Sequence, residues 1–191
     1  MVTNVEAIRR LFKVTGRAPN LPLFPDIWPE REAPIIRADE PGERRIELAR
    51  WGVPPPGGVS RPVTNVRNLA SPFWRASLTG AARRCIVPVT AFAEWTVEPD
   101  PATGRKRKVW FARADREPFV FAGVVRPTAP GELDRFAFLT CEPNALIGAV
   151  HPKAMPVILA SDGAADAWLA GASAEPLACP CAEDHLAVVE V

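Results

Sequence analysis

The sequence predicts an α+β fold: a curved, mostly antiparallel, barrel-like sheet with short peripheral helices, formed by residues 1–191 as a single domain. Three observations predict it. The 22 prolines interrupt the chain too often for a helical bundle. Short runs rich in β-branched and aromatic residues follow one another, without the regular strand–helix alternation of a parallel α/β sheet. The sequence also contains neither an internal repeat nor a linker between two domains.

The composition narrows the class of protein further. Hydrophobic residues make up 48% and charged residues 24%, which is ordinary for a soluble globular protein. The formal net charge is +1, so binding to nucleic acid would require a local basic patch. The sequence has no apolar run of membrane-spanning length and no signal-peptide pattern. We therefore expect a cytoplasmic protein with no membrane partner, whose four cysteines are reduced thiols.

The first part of the chain carries signals for two helices and two strands. Residues Thr3–Glu6 form a capping box ahead of an amphipathic helix, and Gly16 is a natural end for that helix. Ser71 followed by Pro72 predicts the start of a second helix, with serine as N-cap and proline at the first helical position. Short strands are predicted over residues 33–37 and 45–51, on either side of a turn at 41–42.

The stretch from Arg84 to Trp95 is the centre of the prediction. Its β-branched and aromatic residues indicate a buried strand, which we expect to be interrupted at Pro88. The two-residue alternation of a strand places Thr90, Phe92 and Glu94 on one face. A carboxylate at the end of such an apolar run requires a partner or has a raised pKa, unless its oxygens remain in water.

The rest of the chain is predicted to add a hairpin, further strands and two short helical segments. The hairpin loop spans residues 98–108, and its four consecutive basic residues are interpreted as a solvated tip. A helical turn is predicted at 144–150, and a helix that contains Trp168 is capped by Ser161. The remaining predicted strands are residues 109–113, 119–125, 135–141, 155–159 and, at an edge, 186–191.

The two histidines differ in their surroundings. His185 lies in a polar turn and is interpreted as a solvated residue. His151 lies between a helical turn and an apolar strand, where its ring could face a cleft and form a general acid/base pair with Glu94. The alternative for His151 is a structural residue with satisfied hydrogen bonds.

Other polar residues suggest a ligand site. Asn65 and Arg67 alternate along a strand-like stretch, and an amide beside a guanidinium suits an anionic or carbonyl-bearing ligand. Arg50 and Trp51 place a cation beside a flat ring, which suits a phosphate and a stacked base. No cysteine pair is accompanied by a second pair or by a histidine at ligand spacing, so we predict no metal and no other cofactor. The cysteines at 179 and 181 are interpreted as incidental, and those at 85 and 141 as buried strand residues.

Taken in order, these motifs resemble the SOS-response-associated peptidase (SRAP) family. The resemblance extends from the first helix to Trp168, and it rests on the order and approximate spacing of separate motifs. They are Arg50-Trp51-Gly52, Asn65-Val66-Arg67, Arg84-Cys85 through Phe92-Ala93-Glu94-Trp95, Phe121-Ala122-Gly123, His151 and Met155-Pro156-Val157-Ile158-Leu159.

The resemblance implies a compact barrel-like fold with a groove for single-stranded DNA, and an enzyme that captures abasic sites as a covalent protein–DNA crosslink. It also implies an associated autoproteolytic or peptidase activity. By this resemblance Glu94 is the acid/base residue, His151 assists opening of the sugar ring, and Asn65 positions the terminal residue. The same resemblance implies that the DNA contacts are Arg67, Arg50, Trp51, Arg75 and Lys153. We further expect a monomer that associates with the nucleoid during DNA damage.

The chain departs from the family pattern at its start. The family nucleophile is a cysteine directly after the initiator methionine, and here that residue is Val2. We expect the missing cysteine to lie in a short segment upstream of Met1, and we expect the chain as given to form no stable crosslink. Two other functions remain open: a non-covalent module for single-stranded DNA, and a thiol-dependent peptidase.

Overall fold

The computed structural model describes residues 5–16, 21, 24–38, 42–58 and 61–190. Within these ranges the chain forms four α-helices and ten strands, so the predicted α+β class is confirmed. The helices are α1 (Val5–Leu11), α2 (Pro72–Thr79), α3 (Ala145–Gly148) and α4 (Asp162–Leu169). The strands are β1 (Glu32–Ala38), β2 (Arg44–Trp51), β3 (Asn65–Val66), β4 (Arg84–Val89), β5 (Phe92–Pro99), β6 (Lys106–Arg113), β7 (Phe119–Arg126), β8 (Arg135–Cys141), β9 (Met155–Pro156) and β10 (Leu186–Val189).

Seven of the strands form a large curved sheet. Its order is β2-β1-β4-β7-β8-β3, with β9 paired to β8. A further pairing of β2 with β8 closes five of these strands into a ring, so the predicted barrel-like sheet is confirmed, although the ring is not a regular barrel. The pairings β2–β8 and β3–β8 are parallel, and the others in this sheet are antiparallel.

The other three strands form a small antiparallel sheet in the order β10-β6-β5. The β5–β6 hairpin is the one predicted from sequence, and β6 begins three residues earlier than expected, within the basic run. Glu94 lies opposite Val109 in this hairpin, and Trp95 lies opposite Lys108. The small sheet therefore carries Glu94, which sequence analysis assigned to the central stretch.

The core fills the ring and the space beneath α2 and α4. Trp168 of α4 is fully buried, and its indole Nε1 donates hydrogen bonds to the carbonyls of Cys85 (2.9 Å) and Gly123 (3.2 Å). The guanidinium of buried Arg84 lies 4.0 Å from the centre of the Trp168 ring. This guanidinium also donates to the carbonyls of Leu78, Trp168 and Ala172, and thereby ties the ends of α2 and α4 to β4.

Two local predictions need correction. The central stretch is interrupted at residues 90–91, and Pro88 lies inside β4. Strand β1 pairs with β4 only where Ile36 lies opposite Ile86. The missing N–H of Pro88 therefore removes no hydrogen bond to β1. Ser71 precedes α2 as predicted, but its side chain makes no capping hydrogen bond. The predicted capping box at residues 3–6 begins outside the described residues.

None of the helices in the described part of the chain has both the length and the apolar character needed to span a membrane.

Replacing Gly123 by alanine is expected to destabilise the protein. A Cβ at this position would lie 2.7 Å from Cys85 Sγ and 3.1 Å from Val87 Cγ2, inside a closely packed core. Overpacking of this kind lowers the free energy of unfolding by about 1–3 kcal/mol, which urea denaturation would measure. Gly148→Ala is the matched control, because its Cβ would lie 3.6 Å from the nearest atom. Equal effects of the two substitutions would contradict the packing argument.

Candidate functional site

Glu94 lies near the start of β5, one alternation after buried Phe92. Its side chain is 24% exposed, and no hydrogen bond within the described residues satisfies its carboxyl group. Burial disfavours the charged form, and this raises the pKa of Glu94 from 4.5 to about 7. A carboxyl group with such a pKa can both donate and accept a proton near neutral pH.

His151 reaches Glu94 from a distant part of the chain. Its Nδ1 lies 3.7 Å from Glu94 Oε2, and its side chain is 30% exposed. The separation exceeds that of a direct hydrogen bond. The structure therefore brings together the two residues that sequence analysis paired as a candidate acid and base.

The position of His151 depends on the short helix α3. The Asn144 side chain caps this helix by accepting a hydrogen bond from the Ile147 amide at 3.0 Å. The Asn144 amide group also donates to the Cys181 carbonyl at 3.1 Å. At the other end of the helix, the His151 amide donates to the Ile147 carbonyl at 2.8 Å. Since Ile147 is fully buried, α3 anchors the histidine to the core.

Glu94 and His151 open into a cleft of about 510 Å³ between the two sheets. The ionisable groups that line it are Asp26, Glu94, Lys108 and His151, so its walls are not the basic surface that a DNA groove suggests. Aromatic rings dominate the walls instead. The aromatic residues are Trp28, Trp51, Phe92, Trp95, Trp110, Phe121, Phe136 and Phe138.

Asn65 and Trp51 also line this cleft. Asn65 is exposed and lies on β3 opposite Phe138 of β8. The indole Nε1 of Trp51 donates to the Thr64 carbonyl at 3.0 Å, and its ring lies 5.2 Å from that of Phe138. These contacts fix the Trp51 ring beside Asn65.

Arg67 lies outside the cleft lining. Strand β3 ends at Val66, so Asn65 and Arg67 do not continue along one strand as predicted. The Arg67 guanidinium donates to the carbonyls of Cys141 (3.0 Å) and Lys153 (2.8 Å), and forms an ion pair with Glu142. It therefore joins the two ends of the segment that carries His151.

Three further predicted DNA contacts also lie away from the cleft. Arg50 lines a neighbouring groove and lies 3.6 Å from a carboxylate oxygen of Glu32. Arg75 is exposed on α2, and Lys153 is exposed two residues after His151. The structure thus groups Glu94, His151, Asn65 and Trp51 in one cleft, while these three basic residues and Arg67 lie outside its lining.

Trp28, Lys108, Trp110 and Trp95 also line the cleft, and none of them is a site residue predicted from the sequence. One signal was available, because Lys108 and Trp110 alternate along β6 and so share a face. Their approach to Trp28 depends on the tertiary path of residues 24–31, which has no periodic pattern.

Cys85, Cys141 and His185 lie in the surroundings predicted for them. Cys85 and Cys141 are buried free thiols in strands. Burial raises the pKa of Cys141 to about 12, so it is a poor nucleophile. His185 is exposed, beside a separate cavity of about 260 Å³. Among the described residues, no group of three or more metal-binding side chains is arranged to hold an ion.

The chain is similar to known proteins in sequence and in fold. A family model described as "SOS response associated peptidase (SRAP)" matches residues 1–191. A protein of known structure from Bordetella bronchiseptica is 27% identical with a TM-score of 0.74, covering 100% of this chain and 97% of that chain. A phage-related protein from Bordetella bronchiseptica is 20% identical with a TM-score of 0.72, covering 97% of this chain and 89% of that chain. A Bacteroides thetaiotaomicron protein is 23% identical with a TM-score of 0.67, covering 84% of this chain and 75% of that chain. The last two show similarity of fold alone. Among curated proteins, none matches the sequence significantly.

Proposed function

Because the chain belongs to the SOS-response-associated peptidase family, we propose that it binds single-stranded DNA and processes abasic sites in the aromatic cleft between its two sheets. The observation that carries the proposal is the Glu94–His151 pair, in which a carboxyl with a pKa of about 7 lies 3.7 Å from an imidazole. At the level of the family, membership associates the chain with the SOS response and with DNA containing abasic sites.

The proposed chemistry begins at the aldehyde of the opened abasic sugar. An N-terminal amine attacks the aldehyde carbon, and loss of water gives an imine. An α-amino group has a pKa of about 7.7–8.0, so part of it is neutral and nucleophilic at cellular pH. Where the terminal residue is cysteine, its thiol then adds to the imine carbon and closes a thiazolidine ring. No step oxidises or reduces the DNA.

Glu94 and His151 supply the proton transfers in this proposal. Loss of water from the amine adduct requires an acid, and Glu94 is protonated often enough near pH 7 to act as one. His151, beside it, assists the opening of the sugar ring and the reverse reaction. Asn65, which lines the same cleft, positions the terminal residue through its amide.

The proposed DNA contacts are sequence-independent. Trp51 offers a ring for base stacking in the cleft, and Arg50, Arg75 and Lys153 offer charges for phosphates around it. Arg67 has five N–H groups, so contacts to Cys141, Lys153 and Glu142 still leave donors for a phosphate. Recognition of phosphates and base faces carries no sequence code.

The test compares the wild-type chain with its Val2→Cys variant, in which cysteine follows Met1 as in the family pattern and becomes the terminal residue once Met1 is removed. Both proteins are incubated with single-stranded DNA that contains one abasic site. The variant should form a band of protein-bound DNA that persists on a denaturing gel. The wild-type chain should form such a band only when borohydride reduces the imine to a stable amine. Intact DNA of the same sequence is the control and should give no band with either protein.

A non-covalent function is the second candidate, and the aromatic lining of the cleft favours it, since base stacking needs no nucleophile. It predicts a shift on a native gel for both proteins and no band on the denaturing gel, even with borohydride. Cleavage of a peptide by the Val2→Cys protein, without DNA binding, would instead support a thiol-dependent peptidase.

A further inference from the structure

A lysine is held between two indole rings at one side of the cleft. Lys108 Nζ lies 4.5 Å from the centre of the Trp28 ring and 4.4 Å from that of Trp110. The Asp26 carboxylate oxygen Oδ2 lies 3.8 Å from Lys108 Nζ. We call Asp26, Trp28, Lys108 and Trp110 the lysine–tryptophan cluster, and all four line the cleft that contains Glu94.

The cluster is suited to binding an anion. Two ring faces and a carboxylate flank the Lys108 ammonium and hold it at the wall of the cleft. The Lys108 side chain is 25% exposed, so the ammonium can be reached from the cleft. The distance between Lys108 Nζ and Asp26 Oδ2 is near the outer limit of an ion pair. An anion that approached Lys108 more closely than Asp26 does would therefore interact with it more strongly.

Trp28 adds a flat apolar surface. It is 46% exposed, whereas most large apolar side chains in the described part of the chain are buried. An indole that is fixed against a cation yet open to solvent is a ready surface for a stacked ring, because it loses little conformational entropy when the ring binds. Trp95, on the strand that pairs with β6, is equally exposed beside Lys108.

The cluster also joins the reaction cleft to a second groove. This groove has a volume of about 390 Å³ and shares Asp26 and Trp28 with the cleft. Arg31 and Arg50 line it together with Asp26, Glu30 and Glu32, and Arg50 lies 3.6 Å from a carboxylate oxygen of Glu32. A DNA strand that leaves Glu94 along the cluster would therefore pass from aromatic rings to guanidinium groups, where its phosphates would compete with these carboxylates.

We propose that the lysine–tryptophan cluster binds the nucleotide adjacent to the abasic residue. Its base stacks on the exposed surface of Trp28, and its phosphate pairs with Lys108 in competition with Asp26. This inference rests on the proposed binding of single-stranded DNA, and it names a subsite for that DNA. The cluster thus places the abasic sugar at Glu94 by holding its neighbour.

The experiment measures the affinity of the full chain for fluorescent single-stranded DNA by anisotropy, with an unreactive tetrahydrofuran in place of the abasic sugar. Trp28→Ala should weaken binding about 10-fold through loss of base stacking. Lys108→Met should weaken binding and reduce the slope of log affinity against log salt by about one. Asp26→Asn should strengthen binding, because Lys108 loses its competing carboxylate. Lys106→Met is the charge-matched control: Lys106 lies exposed on the same strand, outside the cleft lining.

The DNA can be shortened to locate the subsite. Two shortened DNAs are compared, each lacking all nucleotides on one side of the tetrahydrofuran. Trp28→Ala should have no effect on binding of the DNA that lacks the nucleotide bound by the cluster, and it should still weaken binding of the other DNA. The inference is overturned if the wild-type chain binds the DNA while Trp28→Ala and Lys108→Met match the Lys106→Met control, or if Asp26→Asn weakens binding as Lys108→Met does. Failure of the wild-type chain to bind at all would overturn the proposed function, and this inference with it. Thermal melting of each variant separates loss of binding from loss of folding.

Discussion

Crosslinking of abasic single-stranded DNA by the Val2→Cys protein is expected to slow by about 100-fold to 10,000-fold when Glu94 is replaced by glutamine, the range typical of a lost general acid/base. Glutamine keeps the shape of the side chain but cannot release or accept the proton. The rate is measured from the growth of the protein–DNA band in single-turnover time courses. The reaction is expected to remain slow at every pH, because the glutamine side chain does not titrate.

Glu98→Gln is the matched control for this substitution. Glu98 lies on the same strand and is exposed, so the substitution removes the same charge outside the site. Binding of the tetrahydrofuran DNA should be similar for the Glu94→Gln and wild-type proteins, since the effect is on chemistry. An unchanged crosslinking rate would remove Glu94 from the mechanism, and a parallel loss of binding would assign it to DNA contact instead.

Glu94→Gln is also expected to stabilise the fold at alkaline pH. Burial raises the pKa of Glu94 from 4.5 to about 7, so the folded state holds this proton more tightly than the unfolded state does. Protonated Glu94 makes its full contribution to the free energy of unfolding below about pH 4.5, and this contribution is lost as the pH rises through 7. Each tenfold change in proton affinity corresponds to about 1.4 kcal/mol, so the variant should be more stable by about 3 kcal/mol at pH 9.

Urea denaturation at pH 4 and pH 9 measures this difference. The two proteins should have the same free energy of unfolding at pH 4, where both side chains are neutral, and the variant should be more stable only at the higher pH. Glu98→Gln should show no such divergence, because Glu98 is exposed. If the free energy of unfolding varied with pH in the same way for the wild-type and Glu94→Gln proteins, the Glu94 carboxyl would be well solvated in the folded protein.

Local sequence pattern was sufficient for much of the fold and for part of the site. The alternation from Phe92 to Glu94 correctly indicated a carboxyl at the boundary of the core, because strand geometry fixes which side chains share a face. The interpretation of His151 as a cleft residue relied on its position after a short helix. Neither pattern predicts that the Glu94 and His151 side chains lie 3.7 Å apart, since that distance depends on how the two sheets pack.

Local patterns do not predict contacts between residues that are remote in sequence. The family resemblance implies Arg67 as a phosphate contact, but no pattern indicates that its guanidinium also contacts two carbonyls and Glu142. Trp28 was missed because residues 24–31 have no periodicity, although its ring completes the site of Lys108. Long polar and aromatic side chains take partners that the tertiary fold supplies, and these partners lie far along the chain.

The division of the proposed acid/base pair between two sheets has a consequence for protein engineering. Glu94 belongs to the three-stranded sheet, and His151 belongs to a segment attached to β8 of the larger sheet. Grafting the β5–β6 hairpin onto another scaffold would transfer the carboxyl group without its imidazole. The proposed reactivity therefore depends on the assembled tertiary structure and cannot be transferred with a short peptide.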